Sequence, residues 1–384
     1  MTNTGKKIIY IIVSIGLIAL LALIVWGTWS RSSRQITVGA VLPLSGDGAK
    51  YGVSARKGIE LVISKANREG GIKGRKIVVV YEDSKGLPKD GVTALHKLIT
   101  VNHVPAVIGG LFSSVTLAMA PVAETNHVVV LSPTSSAPSI THAGDYIFRN
   151  CASDVFEGKV MADAAYKRLG IRDVAIVYIN NDYGVGIVDT FEKAFTALGG
   201  KILAEEAFSQ GAVDFRAQLT KTAALHPDGV YIVGYKELGN LLKQAYEMGL
   251  KTQFMSTVMF EDPDILAVAG KAADGVIYSA RAYDPNGNNP VVRKFVADFN
   301  KRYGGIPDIF AAYAYDAARI LVHAMKEGDT TADEIKRALY AIHDFPGVTG
   351  TTTFDKNGDV TQPAYLKTVK DGHFKWYKAP KTGA

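Results

Sequence analysis

Four short stretches of the 384-residue chain carry hydroxyls and rings suited to holding a small polar molecule. In GGLFSSVT, residues 109–116, an apolar strand ends and Ser113-Ser114 opens a helix. Such an opening presents free backbone N–H groups at the positive end of a helix dipole, which favours a carboxylate. Plain capping by serine is the blander reading, and a capping serine can still face a cleft. In LSPTSSAPS, residues 131–139, Thr134 and Ser136 follow directly on a strand, where open α/β sheets bind ligands. A polar loop broken by Pro133 and Pro138 is the alternative there. INNDYGVG, residues 179–186, takes the corresponding place in the second half. Asp182 is expected to cap a helix, and Tyr183 to offer a flat face and a hydroxyl. Tyr235, just past GVYIVG, stands in the same kind of position. A surface tyrosine is the alternative for each.

None of this is catalytic machinery. G-x-x-x-x-G-K-[ST], H-E-x-x-H and G-x-S-x-G do not occur, and no G-x-G-x-x-G follows a strand. The eight histidines are scattered without metal-like spacing. Asp355-Lys356-Asn357-Gly358-Asp359 has its glycine at the wrong place for a calcium loop, so a turn at Asn357-Gly358 is expected. The chain is therefore expected to bind rather than catalyse, with no cofactor and no metal.

The elements that position these loops show in the apolar rhythm. Ile36–Leu44, Lys76–Glu82, Pro105–Leu111 and His127–Ser132 read as strands. Helices are expected over Val53–Arg68, after Pro88, and over Ser113–Thr125. The rhythm repeats with strands at Val174–Ile179, Ile202–Phe208, Gly229–Gly234 and Gln253–Val258. Helical stretches follow near Pro290–Tyr303, Ile309–Glu327 and Ala332–Ile342, then a β-like segment from Val348 to Tyr377. Alternation of this kind predicts an α/β fold of two similar lobes, each a parallel sheet flanked by helices.

The net charge of +6 is concentrated at one end. Residues 1–34 hold Lys6, Lys7, Arg31 and Arg34 and no acid; the remainder has 39 bases against 37 acids, too even for a nucleic-acid footprint. Between Lys7 and Arg31 lie 23 uncharged residues, enough as a helix to span about 30 Å of hydrocarbon. Trp26 and Trp29 stand where a cleavage site needs small residues, so an uncleaved signal anchor is expected, with the body outside the cytoplasm. A long cleaved signal peptide is the competing reading. The single cysteine, Cys151, excludes an intramolecular disulfide and reads as a small half-buried residue.

From Ile36 onward the chain resembles the periplasmic leucine/isoleucine/valine-binding proteins, substrate receptors of branched-chain amino acid ABC transporters. VLPLSGDGAKYG, GIELVISKANREGGIKGRK, AVIGGLFSSVT, LSPTSSAP, IVYINNDYGVG and LLKQAYEMGLKTQFM carry the likeness, in order. The resemblance implies the type I periplasmic binding fold: two Rossmann-like lobes joined by three crossovers that hinge shut on a ligand. The first lobe would comprise 36–152 and 279–347, and the second 153–278 and 348–384, behind a leader of residues 1–35. By the same resemblance Ser113 binds the ligand carboxylate. Ser136 stands for a threonine touching carboxylate and ammonium, and Thr134 gives its carbonyl to the ammonium. Tyr51, Tyr183 and Tyr235 match aromatic cleft positions.

Two departures stand out. The family's disulfide positions fall near Lys85 and at Phe112. The glutamate that pairs with the ligand ammonium aligns with Val258, leaving Glu261 to reach the same place, while Asp262 caps a helix before Pro263. Without Glu261, the expected ligand lacks an α-ammonium, as an aromatic or aliphatic carboxylate or an amide does. The leading expectation is a monomeric receptor working with ABC permease subunits. A ligand sensor signalling through a partner protein is the alternative, and an enzyme of the doubly wound class is disfavoured.

Overall fold

A computed structural model describes residues 35–377. The expected anchor lies in residues 1–34, outside the described residues; among these, no helix is long and apolar enough to cross a membrane.

The first sheet is built from β1 (Gln35–Leu42), β2 (Lys76–Asp83), β3 (Ala106–Gly109), β4 (Val129–Ser132) and β5 (Ile147–Arg149), all parallel, in the order 2-1-3-4-5. Strands β3 and β4 are wholly buried, as continuous apolar runs covered on both faces must be. Helices α1 (Ala49–Arg68), α2 (Pro88–Thr100) and α3 (Ser113–Thr125) connect them. Helix α1 begins four residues before the predicted start, which brings Tyr51 into its first turn.

After β5 the chain crosses to the second sheet through α4 (Asp154–Asp163). There β6 (Asp173–Ile179), β7 (Lys201–Phe208), β8 (Gly229–Val233), β9 (Gln253–Ser256) and β10 (Ile277–Ala280) repeat the order of the first sheet as 7-6-8-9-10. Helices α5 (Asp182–Ala197), α6 (Arg216–Ala224), α7 (Glu237–Glu247) and α8 (Pro263–Ala269) lie between them. Strand β10 spans the boundary expected at 278/279 and pairs wholly within the second sheet.

The second crossing returns the chain to the first sheet, where α9 (Pro290–Tyr303), α10 (Ile309–Glu327) and α11 (Ala332–Tyr340) follow, α10 packing along α1. A third crossing includes the small pair β11 (Phe345–Pro346) and β12 (Thr351–Thr352). It ends in β13 (Tyr365–Lys370) and β14 (His373–Trp376), antiparallel additions to the second sheet. Crossing segments touch where Ala152 bridges Val360. The turn at Asn357-Gly358 forms as the sequence predicts: Gly358 has φ of +73°, and Asp355 accepts from the amides of Asn357 and Asp359.

Candidate functional site

Both sheets follow the doubly wound order, whose crevice lies at the carboxyl ends of the strands where the order reverses. In the first sheet those ends lead to Tyr51 and to Ser113; in the second they lead to Tyr183 and to Tyr235. In each sheet the helix that follows the first strand carries the same tripeptide in its first turn, Tyr-Gly-Val, at 51–53 and 183–185. The glycines permit close approach of helix to strand end. A Cβ on Gly52 would stand 1.9 Å from the Pro43 carbonyl oxygen, and one on Gly184 1.9 Å from that of Ile179. That closeness holds each preceding tyrosine at the crevice.

The rings meet across the lobes. Tyr51 stacks on Phe310 at 4.4 Å, and Phe112 lies 4.8 Å from Tyr235, which stacks on Tyr183 at 5.5 Å between centroids. Tyr183 donates its hydroxyl to Thr257 Oγ1 at 2.7 Å. Burial raises the hydroxyl pKa of all three tyrosines, with nearby carboxylates adding to it, so they stay neutral donors. Ion pairs close the rim: Lys50 reaches Asp262 at 2.7 Å and Asp264 at 2.5 Å, and Lys236 reaches Asp47 at 2.7 Å.

Ser113 is the first residue of α3, and no side chain caps that helix. Its hydroxyl accepts instead from the Ala137 amide at 3.1 Å, tying the two serine-bearing loops together. Ser114 beside it is half-buried. The Gly110 carbonyl accepts from the hydroxyls of Thr116, Ser132 and Ser135, and Thr134 donates to the Leu111 carbonyl at 2.8 Å. The loop 131–139 is therefore a fixed scaffold. Asn181 rather than Asp182 caps α5, its side chain accepting from the Gly184 amide; an amide oxygen one residue earlier fits the extended cap conformation. Asp262 caps α8 ahead of Pro263, as expected.

Glu261 is not gathered with the serines. Its carboxylate pairs with Lys367, and it lines a separate hollow with Lys50, Tyr51, Asp262 and Phe310. The carboxylate beside Ser136 belongs to Asp154, which the sequence reading did not single out. Ser136 Oγ donates to Asp154 Oδ2 at 3.0 Å, while Oδ1 is buried with no partner among the described residues. Burial, with Glu157 close by, pushes the Asp154 carboxyl up to about 8. Glu157, one turn on, accepts from the Val258 amide at 2.8 Å, from Ser279, and from Arg281 at 3.0 Å. Both acids are fully buried, so α4 shows no apolar stripe to mark it.

Thr134 and Ser136 line a narrow hollow between the lobes with Cys151, Val258, Met259, Arg281, Phe310 and Tyr313. Burial pushes the Cys151 thiol up to about 12, leaving it unreactive. Among the described residues no cluster of His, Cys, Asp and Glu could hold a metal. The site can offer hydroxyl and amide donors, aromatic walls and a buried carboxylate.

A family model described as periplasmic binding protein matches residues 35–373. The chain is 30% identical over 364 residues to Leu/Ile/Val-binding protein homolog 1 of Brucella melitensis, covering 94% of this chain and 95% of that one. Its fold is similar to that of the branched-chain amino acid transporter substrate-binding protein LivJ of Streptococcus pneumoniae, in complex with isoleucine. That match has a TM-score of 0.82 and 29% identity, covering 89% of this chain and 98% of that one. It is also similar to an ABC transporter solute-binding protein of R. palustris in complex with benzoate, with a TM-score of 0.81 and 26% identity, covering 89% and 95% of the two chains. This chain belongs to the periplasmic binding protein family, whose members are receptors and not enzymes.

Proposed function

We propose that the chain is the extracytoplasmic receptor of an ABC importer, capturing an amino acid or a related small carboxylate by closure of two lobes. The observation that supports this reading is the meeting of rings from the two strand-order reversals, where Phe112, next to Ser113, lies 4.8 Å from Tyr235, which stacks on Tyr183, with the Thr134 and Ser136 loop tied to Ser113. The start of α3 and Ser113 take the carboxylate, with Ser114 beside it. Thr134 and Ser136 take the neighbouring polar group. Tyr51, Tyr183 and Tyr235 form the walls. Asp154 replaces Glu261 as the counter-charge for an ammonium, because Glu261 is already spent on Lys367. The two sheets act as lobes on a three-strand hinge, and the ABC permease reads the closed form. The 23 uncharged residues between Lys7 and Arg31 support a membrane anchor that holds a monomeric body outside the cytoplasm.

The test is a thermal-shift screen of the full chain in detergent against amino acids, aromatic acids and amides. A ligand preferring the folded protein at 100 times its Kd stabilises it by about 2.7 kcal/mol. Melting unmoved by every class removes the receptor reading.

A further inference from the structure

Arg281 follows β10 at the second crossing and is 3% exposed. Its Nη2 donates to Glu157 Oε2 at 3.0 Å and to the Ala152 carbonyl at 3.3 Å, joining the first two hinge strands. Its Nη1 is buried with no hydrogen-bond partner among the described residues. A guanidinium has five N–H donors and no acceptor, so that nitrogen calls for a hydrogen-bond acceptor, of which a ligand oxygen is the commonest. The residue borders the hollow shared with Thr134, Ser136, Val258 and Met259. Burial works against its charge, but Glu157 together with Tyr313, Cys151 and Asp154 holds the guanidinium pKa above its ordinary value.

The surroundings select the partner further. Glu157 already neutralises Arg281, and the buried Asp154 beside them, its carboxyl pushed up to about 8, supplies no positive charge. A further full negative charge therefore finds no free countercharge. A carbonyl oxygen accepts from Nη1 without adding charge, and an amide N–H can meet the unpartnered Oδ1 of Asp154. A branched aliphatic side chain does neither and leaves both buried atoms unpaired.

We propose that Arg281 is a specificity-determining residue. It selects a ligand carrying, beyond its anchoring carboxylate, an oxygen acceptor, with a carboxamide preferred to a second carboxylate, and it disfavours the apolar side chains of leucine, isoleucine and valine. This rests on the proposed receptor reading of the cleft.

The test measures binding to the full chain in detergent by calorimetry, with two near-isosteric trios. One is leucine, asparagine and aspartate; the other is the amine-free set 4-methylpentanoate, succinamate and succinate. The expected result is a carboxamide bound at least tenfold tighter than its aliphatic counterpart, with the dicarboxylate between. Replacing the pair by Glu157→Gln with Arg281→Met should reduce that preference at least tenfold while leaving aliphatic binding equal or stronger. The ratio in the unaltered protein does not depend on the variant folding. An aliphatic ligand bound as tightly as its carboxamide partner overturns the inference and leaves the receptor reading intact. A preference that survives the double variant also overturns it. Failure of all six to bind removes the receptor reading and the inference together.

Discussion

Arg149 holds Ser136 from behind: its Nη1 donates to the Ser136 carbonyl at 3.0 Å and to that of Ala137 at 2.8 Å. The guanidinium is fully buried and gains its charge partner from the third crossing, where Asp359 accepts from Nε at 2.6 Å and from Nη2 at 2.7 Å. The loop that carries Thr134 and Ser136 is thus pinned by a residue far along the chain. Asp359→Asn strips the countercharge from a buried cation and should cost about 3 kcal/mol of folding stability, read by urea denaturation. A loss under about 0.5 kcal/mol contradicts the pin.

The two crevice glycines make a paired prediction. Alanine at position 52 or 184 drives a methyl into a backbone carbonyl, so either change should destabilise by about 1–3 kcal/mol and lower Tm by a few degrees. Gly170, with nothing within 4 Å of its Cβ position but φ of +71°, separates crowding from backbone strain. Equal losses at 52, 184 and 170 would mean that crowding is not the cause.

Ser136→Ala removes the donor to Asp154 Oδ2 and should weaken an amine- or amide-bearing ligand about 10- to 100-fold, by direct titration. Ser113→Ala leaves the Ala137 amide without its acceptor, costing about 1–3 kcal/mol in stability as well as affinity for a carboxylate. Unchanged carboxylate binding in Ser113→Ala contradicts its role.

Asp154 sets a pH dependence. Its carboxyl titrates at about 8 when folded, raised by burial and Glu157 against the opposing pull of Arg281 and Arg149. An unfolded chain releases that proton near the ordinary carboxylate value, so the folded state binds more protons in between. Stability of the ligand-free protein should therefore fall as pH rises through this window, by up to about 1.4 kcal/mol per unit, and level off above it. Asp154→Asn should remove that slope in melting curves. An ammonium ligand needs the ionised form, so its binding should release a proton, visible as buffer-dependent heat.

Lys50 joins the lobes but is 45% exposed, so its pairs with Asp262 and Asp264 are worth about 0.2–1 kcal/mol. Lys50→Ala should weaken ligand binding no more than about fivefold, and the difference should shrink in high salt. A salt-independent loss points to packing instead.

The doubly wound architecture was legible because buried parallel strands read as apolar runs and most helices carry one apolar face. The crevice loops were legible for a related reason: Ser113, Thr134, Ser136, Tyr183 and Tyr235 each follow a strand. What escaped were Asp154, Glu157 and Arg281. Helix α4 buries two acids on its inner face, so its periodicity is broken where its chemistry lies. Arg281 lies just past β10 in no recognisable motif, and only the fold brings Glu157 across to it. The ring-bearing pair at 51 and 183 held a further signal, the shared Tyr-Gly-Val, which reveals the internal repeat once both sheets are seen to share one order.

That duplication has a consequence for discrimination. A chamber whose two walls repeat each other is nearly indifferent to which way round a lopsided guest enters. Orientation must come from features that only one wall possesses. The helix after β3 opens on Ser113, whereas its counterpart after β8 opens on Glu237, an acid, so in the proposed receptor only the first wall suits the guest's anionic end.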